Sequence, residues 1–200
     1  MAHSTIPSID LSKGFVGKLI VAMPHLADTP FEQAVCLICS HDDEHAFGVV
    51  VNKPMSGITV AEVVSQMDID ADESAERAPV FFGGPVDLQR GAVLHTLDFK
   101  QDETVVIGPN IGLTATKDAL EAICTSDRAP EKWRLVMGHA GWDGGQLENE
   151  IKRNDWLSID ATEDRVFGGP ADAWDEALKH LGISDPALFA GQDSPVIRPN

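Results

Sequence analysis

The sequence predicts a mixed α/β domain with a largely antiparallel sheet, and three observations lead there. Short apolar runs near the start are joined by a polar turn, as in a β-hairpin. Helical patterns then occur singly, without the regular βα alternation of a doubly wound parallel sheet. The chain's 200 residues, 43% of them hydrophobic, fit one domain with a substantial core.

Gly17–Ala22 is apolar and suits a strand that ends at Met23-Pro24, with a polar turn over His25–Thr29. Ala34–Ser40 and Ala46–Asn52 are continuous apolar runs, long enough for buried strands and too short for helices. The five polar residues His41–His45 join them as a hairpin. Lys53–Gly57 reads as a loop. Thr59 followed by Glu62 is a capping-box pattern that starts a short helix reaching about Met67. The acidic stretch Asp68–Ala78 reads as a solvated loop.

Val80–Phe82, Ala92–Thr96 and Thr104–Ile107 read as strands, the first two around a Gly83-Gly84-Pro85 turn. Thr114 or Thr116 caps a helix through Ala119, Leu120 and Ile123, and Trp133–Met137 alternates like a strand. A glycine-rich loop follows, then a helix with Leu147 and Ile151 on one face, then a strand over Trp156–Ile159. Trp174, Ala177, Leu178 and Leu181 repeat at i, i+3, i+4 and i+7, with Gly182 as a stop. The expected organisation is a flexible arm over 1–13, one domain over 14–182 and a weakly ordered tail over 183–200.

Charge narrows the function classes. Thirty-two acidic against fifteen basic residues give a net charge of −17, and the bases are scattered. Nucleic acids are polyanions that require clustered Lys and Arg, so direct binding to them is not expected. A basic protein surface or a cation suits this field better, while the simpler and favoured reading is that the net charge keeps the protein soluble. No apolar stretch is long enough for a membrane span, and the N-terminus lacks a signal pattern, so the expected location is the cytoplasm. With three cysteines, no disulfide framework is expected.

Four stretches together resemble the AlgH/YqgE family: Gly17–Pro24 with Asp28 and Phe31; His41-Asp42 with Gly48–Pro54; Phe82–Val86 with Arg90-Gly91 and Leu94-His95; and Gly138–Glu150 with Trp156. Their order and spacing cover roughly residues 14–182. The resemblance implies a bacterial α/β domain with a sheet curled toward a barrel and helices packed on it. It also implies a name as a transcriptional regulator, without an established mechanism, cofactor or catalytic residue. The chain departs from the pattern at His45, where the family carries glycine, and at Gly168-Gly169-Pro170, where it has a different turn.

Cys36-Leu37-Ile38-Cys39 spells C-x-x-C, but inside a strand the two thiols point to opposite faces. His41–His45 spells H-x-x-E-H, yet zinc peptidase chemistry needs that pattern on a helix, which a hairpin turn cannot supply. His41 and His45 therefore remain weak candidates for metal binding only. Gly138–Gln146 joins a strand to a helix without the Gly-Lys-Ser/Thr of a phosphate loop. It reads as a structural turn with Trp142 packed over it, or as the lining of a binding cleft. Lys53 precedes the helix capped by Thr59 and reads either as a surface lysine or as an anion receiver.

The candidate ligand-binding residues are Asn52, Lys53, Arg90, His95, His139, Trp142 and Gln146. No catalytic residue and no cofactor are assigned. Two readings stay open. One is a non-catalytic regulatory or binding module for a protein or small ligand. The other is a small hydrolase-like enzyme or nucleotide/anion-binding protein using Asn52, Lys53, His95 and His139 in one cleft.

Overall fold

The computed structural model describes residues 14–125 and 127–183. The arm expected over 1–13 and, apart from Ile183, the tail expected over 183–200 lie outside the described residues. Among the described residues the architecture is mixed α/β, with six α-helices on a large, mostly antiparallel sheet of ten strands that is not closed.

The first half of the sheet is built from β1 (Lys18–Ala22), β2 (Val35–His41), β3 (His45–Val50) and β10 (Trp156–Asp160). β1 lies between β10 and β2, and β2 pairs with β3 through the expected hairpin. Asp42 shapes its tip: one carboxylate oxygen accepts the backbone N–H of both Glu44 and His45. The second half holds β4 (Pro54–Thr59), β5 (Pro79–Phe82), β6 (Val86–His95), β7 (Val105–Gly108) and β8 (Ile111–Thr114).

β9 (Trp133–Asp143) joins the halves. Its Ala140–Asp143 segment pairs with β3, its Leu135–Met137 segment pairs in parallel with β5, and β6 takes the other edge. The change of partner occurs at Gly138, whose φ of +73° requires glycine. β5 leaves the sheet there through Gly83-Gly84. The Gly83 N–H donates to Met137 O, and Gly83 O accepts from Val50 N. A Cβ on Gly84 would lie 2.1 Å from the His139 carbonyl carbon. The Gly-Gly-Pro segment is thus a close backbone crossing as well as a turn.

Three apolar clusters place the helices. The first lies on one face of the sheet, with Leu19, Val21, Leu37, Leu94, Ile111 and Val136 from both halves. Helices α5 (Glu163–Phe167) and α6 (Ala173–His180) add Val166, Trp174 and Leu178 to it. The second, on the outer face of β1–β3, packs Phe15, Ile20, Cys36 and Ile38 against Leu147 and Ile151 of α4 (Gln146–Lys152). The third, outside β6 and β9, holds α1 (Val60–Ser65), α2 (Glu73–Glu76) and α3 (Lys117–Ile123). Cys36 and Cys39 fall in different clusters, one on each face of β2. Burial pushes both thiols up, away from the reactive thiolate form.

Five features depart from the sequence reading. The Lys53–Gly57 loop is largely strand β4, although its pairing with β5 is irregular. The acidic stretch contains α2, because Ile69 and Ala75 are buried and Asp72 caps the turn. β8 and α5 lacked a clear period. β9 runs on through the expected glycine loop as far as Asp143, because β3 covers its C-terminal segment.

Candidate functional site

A cleft of about 290 Å³ opens where the end of β3, the segment before β2 and the start of α6 meet. Glu32, Gln33, Asn52, Lys53, Pro170, Ala171, Trp174 and Asp175 line it. Asn52 is 9% exposed and acts as a staple: its Oδ1 accepts the Val35 N–H at 2.8 Å, and its Nδ2 donates to Gln33 O at 2.9 Å. Gln33 itself holds a left-handed conformation, with φ +53°.

Lys53 Nζ donates to Pro30 O at 3.0 Å. Burial lowers its pKa from the usual lysine value, and Glu32 pulls it back up. The Trp174 indole N–H donates to Ala22 O at 2.7 Å, which fixes the ring as the cleft's apolar wall. The charged lining is Lys53 against Glu32 and Asp175, beside the N-terminus of α6.

Behind the cleft, the buried guanidinium of Arg134 donates to Val51 O and Gly168 O and stands 4.5 Å over the Phe81 ring. Burial pushes its pKa down to about 10, so it remains charged at neutral pH. Through these bonds it ties the Val51–Lys53 connection between β3 and β4 to the Gly168–Pro170 loop on the opposite wall.

The remaining sequence candidates lie elsewhere. His95 is 0% exposed in β6, between Thr96 O at 2.9 Å and Thr114 Oγ1 at 2.8 Å, with Phe99 edge-on. Burial lowers its pKa, which keeps the ring neutral. His139 is half-buried against Phe47, with ring centroids 4.9 Å apart. On β9, His139 faces Val86 and Trp133 faces His95. That separation is ~20 Å at roughly 3.3 Å per residue, beyond hydrogen-bond reach. The structure therefore brings Asn52 and Lys53 together but not His95 and His139, and the four-residue acid–base arrangement is not formed.

Arg90 is exposed in the outer part of β6, 3.8 Å from Asp87. Trp142 is buried on the far side of the sheet, and Gln146 is bound to Glu150 at 2.8 Å and to the Asp143 N–H at 3.0 Å. Of the weak metal candidates, His41 is paired with Glu148 at 2.7 Å, and His45 is exposed, 3.1 Å from Asp42. Among the described residues, no group of three or more His, Cys, Asp or Glu side chains is placed to hold a metal ion.

Sequence reasoning missed Glu32, Gln33, Arg134, Trp174 and Asp175. Trp174 was legible only as a core position of α6. The lone arginine inside the apolar run of β9 was the one local signal for Arg134.

A sequence model of the family described as AlgH-like matches residues 19–185. A UPF0301 protein of Jannaschia sp. (strain CCS1) is 42% identical over 186 residues, covering 92% of this chain and 96% of that one. A UPF0301 protein of Caulobacter vibrioides is 41% identical over 177 residues, covering 88% and 91%. The solution structure of the AlgH protein from Pseudomonas aeruginosa matches with TM-score 0.73 and 31% identity, over 98% of this chain and 100% of that one. A crystal structure from Corynebacterium diphtheriae shares the fold at TM-score 0.68 and 23% identity, over 88% and 91%. From the N-terminal strand to the last helix, this chain belongs to the AlgH-like family.

Proposed function

We propose that the protein is a non-catalytic regulatory or binding module that receives a polar group of a protein partner or small ligand in the Lys53 cleft. The single observation that carries this reading is the lining: an ammonium and an indole face, each held by a hydrogen bond to backbone, set against two carboxylates. Such a cleft offers both charge signs to a ligand, and it offers no histidine for proton transfer. A regulatory role would run through protein or ligand contacts, since the net charge of −17 disfavours a polyanion.

The test is a thermal-shift panel of inorganic phosphate, sulfate, nucleotides, divalent metals and free amino acids, with Lys53→Met and Asp175→Asn alongside. Ligand selective for the native state raises the midpoint by mass action. A rise abolished by both substitutions supports the cleft. A rise untouched by either sinks it. Lys53 beside the N-terminus of α6 supports the second reading, an anion or nucleotide site. In that case Asp175→Asn should tighten phosphate binding and Lys53→Met should remove it.

A further inference from the structure

His41 ends β2 with its side chain 8% exposed. The Phe15 backbone N–H donates to its Nδ1 at 3.2 Å, and its Nε2 lies 2.7 Å from Glu148 Oε1. A ring nitrogen that accepts a hydrogen bond carries no proton. The single proton of the neutral ring therefore sits on Nε2 and is donated to the Glu148 carboxylate. The Phe15 phenyl rests against the same imidazole, centroids 5.3 Å apart, and is 1% exposed in the cluster under α4. Glu148 Oε2 is buried without a hydrogen-bond partner among the described residues, so Oε1 carries this carboxylate's contact with the imidazole.

We propose that His41 is a proton-operated latch on Gly14–Gly17, the segment that leads into β1. The neutral ring holds the segment against the hairpin and α4. Protonation places an N–H on Nδ1, facing the Phe15 N–H, and that contact then opens. Release uncovers the apolar site that Phe15 fills beside Leu147 and Ile151.

Among the described residues, the charged groups around the ring are Glu148 from α4 and, on the hairpin, Asp42 with its partner His45. No charged side chain lies within Gly14–Gly17. At its last residue, Gly17 N donates to Ile38 O at 3.0 Å, and beyond it Ile20 is paired on both sides within β1. Opening therefore stops short of the sheet.

Amide hydrogen exchange read by NMR from about pH 7.5 to 5.0 tests this, with the His41 ring-carbon shift as its own reporter of protonation. The Phe15 amide, corrected for intrinsic exchange, should lose protection roughly tenfold or more in step with the ring, while Ile20 stays protected. In His41→Asn, whose amide oxygen can accept at the Nδ1 position but cannot take up a proton, Phe15 should stay protected throughout. The proposal is overturned if Phe15 keeps its protection once the ring is charged. It is also overturned if Ile20 opens in parallel, which is general acid unfolding, or if His41→Asn shows the same loss. The two wild-type amides decide the matter alone if the variant does not fold.

Discussion

The Oε2 atom of Glu150 accepts the indole N–H of Trp142 at 2.8 Å. The same oxygen accepts Trp156 Nε1 at 2.9 Å, while Oε1 takes the Gln146 amide at 2.8 Å. The two indoles meet edge to face, 6.1 Å apart, with Phe31 against both. One side chain of α4 thus satisfies the polar atoms of two buried tryptophans from different strands. Glu150→Ala leaves both N–H groups without an acceptor and should cost about 3 kcal/mol, at roughly 1–3 kcal/mol for each buried unsatisfied donor. Glu150→Gln keeps one acceptor oxygen and should cost about 1 kcal/mol. Urea unfolding followed by tryptophan fluorescence checks both, and equal losses would show that an amide oxygen cannot stand in for the carboxylate.

The two Phe-Gly-Gly-Pro segments make a matched pair for a second prediction. A Cβ on Gly84 would sit 2.1 Å from the His139 carbonyl carbon, and φ there is +153°. A Cβ on Gly169 would meet nothing within 4 Å. Gly84→Ala should cost about 4 kcal/mol or more, combining backbone strain with overpacking of roughly 1–3 kcal/mol each. Gly169→Ala should stay within about 0.5 kcal/mol, as surface substitutions do. Soluble yield and thermal midpoint read the contrast. Equal tolerance would mean that the β5–β9 crossing can open.

This pair also marks how far the sequence could be read. Periodicity and capping chemistry are local, so the β2–β3 hairpin, the Thr59 capping box and the face of α6 were legible. The opposed positions of Cys36 and Cys39 followed from strand alternation alone. Gly83-Gly84 and Gly138 were visible as glycines, but their reason is a crossing between segments some fifty residues apart in the chain. Strand β8 pairs β6 and β7 at positions that local pattern does not specify, and α2 is stable because tertiary burial of Ala75 overrides an acidic, loop-like composition. The cleft was half legible. Lys53 and Asn52 stood out as a polar pair after a strand, whereas Glu32 and Asp175 join them only through the path of the fold.

A third prediction concerns pH. Burial holds the His95 pKa below its usual 6.5. The unfolded chain therefore binds a proton here that the folded chain refuses. As pH falls below about 6.5, His95 draws down stability until the folded ring titrates as well. Urea unfolding at about pH 7.5 and 5.5 should show a loss in wild type that is smaller in His95→Gln. An unchanged loss would assign the acid lability to other groups.

Asn52 combines the core and the cleft in one side chain. Its carbonyl oxygen holds the Val35 N–H, and its amide nitrogen holds Gln33 O, so it fixes both the start of β2 and the left-handed Gln33 at the cleft wall. Asn52→Ala removes both bonds and should cost about 2–3 kcal/mol, since the Val35 N–H is buried. Asn52→Asp separates the two roles. The substituted carboxylate still accepts from Val35, but its second oxygen faces the Gln33 carbonyl, oxygen against oxygen. Ionisation of that carboxyl is disfavoured, so its folded pKa is raised above its unfolded value near 4. The variant should be weaker than wild type at neutral pH and should recover relative to wild type as acid protonates the carboxyl, which can then donate to Gln33. Paired urea curves from about pH 7 to 4 read the difference. A wild-type-like profile for Asn52→Asp would show that the Gln33 carbonyl turns away freely, and the cleft wall would then not depend on this staple.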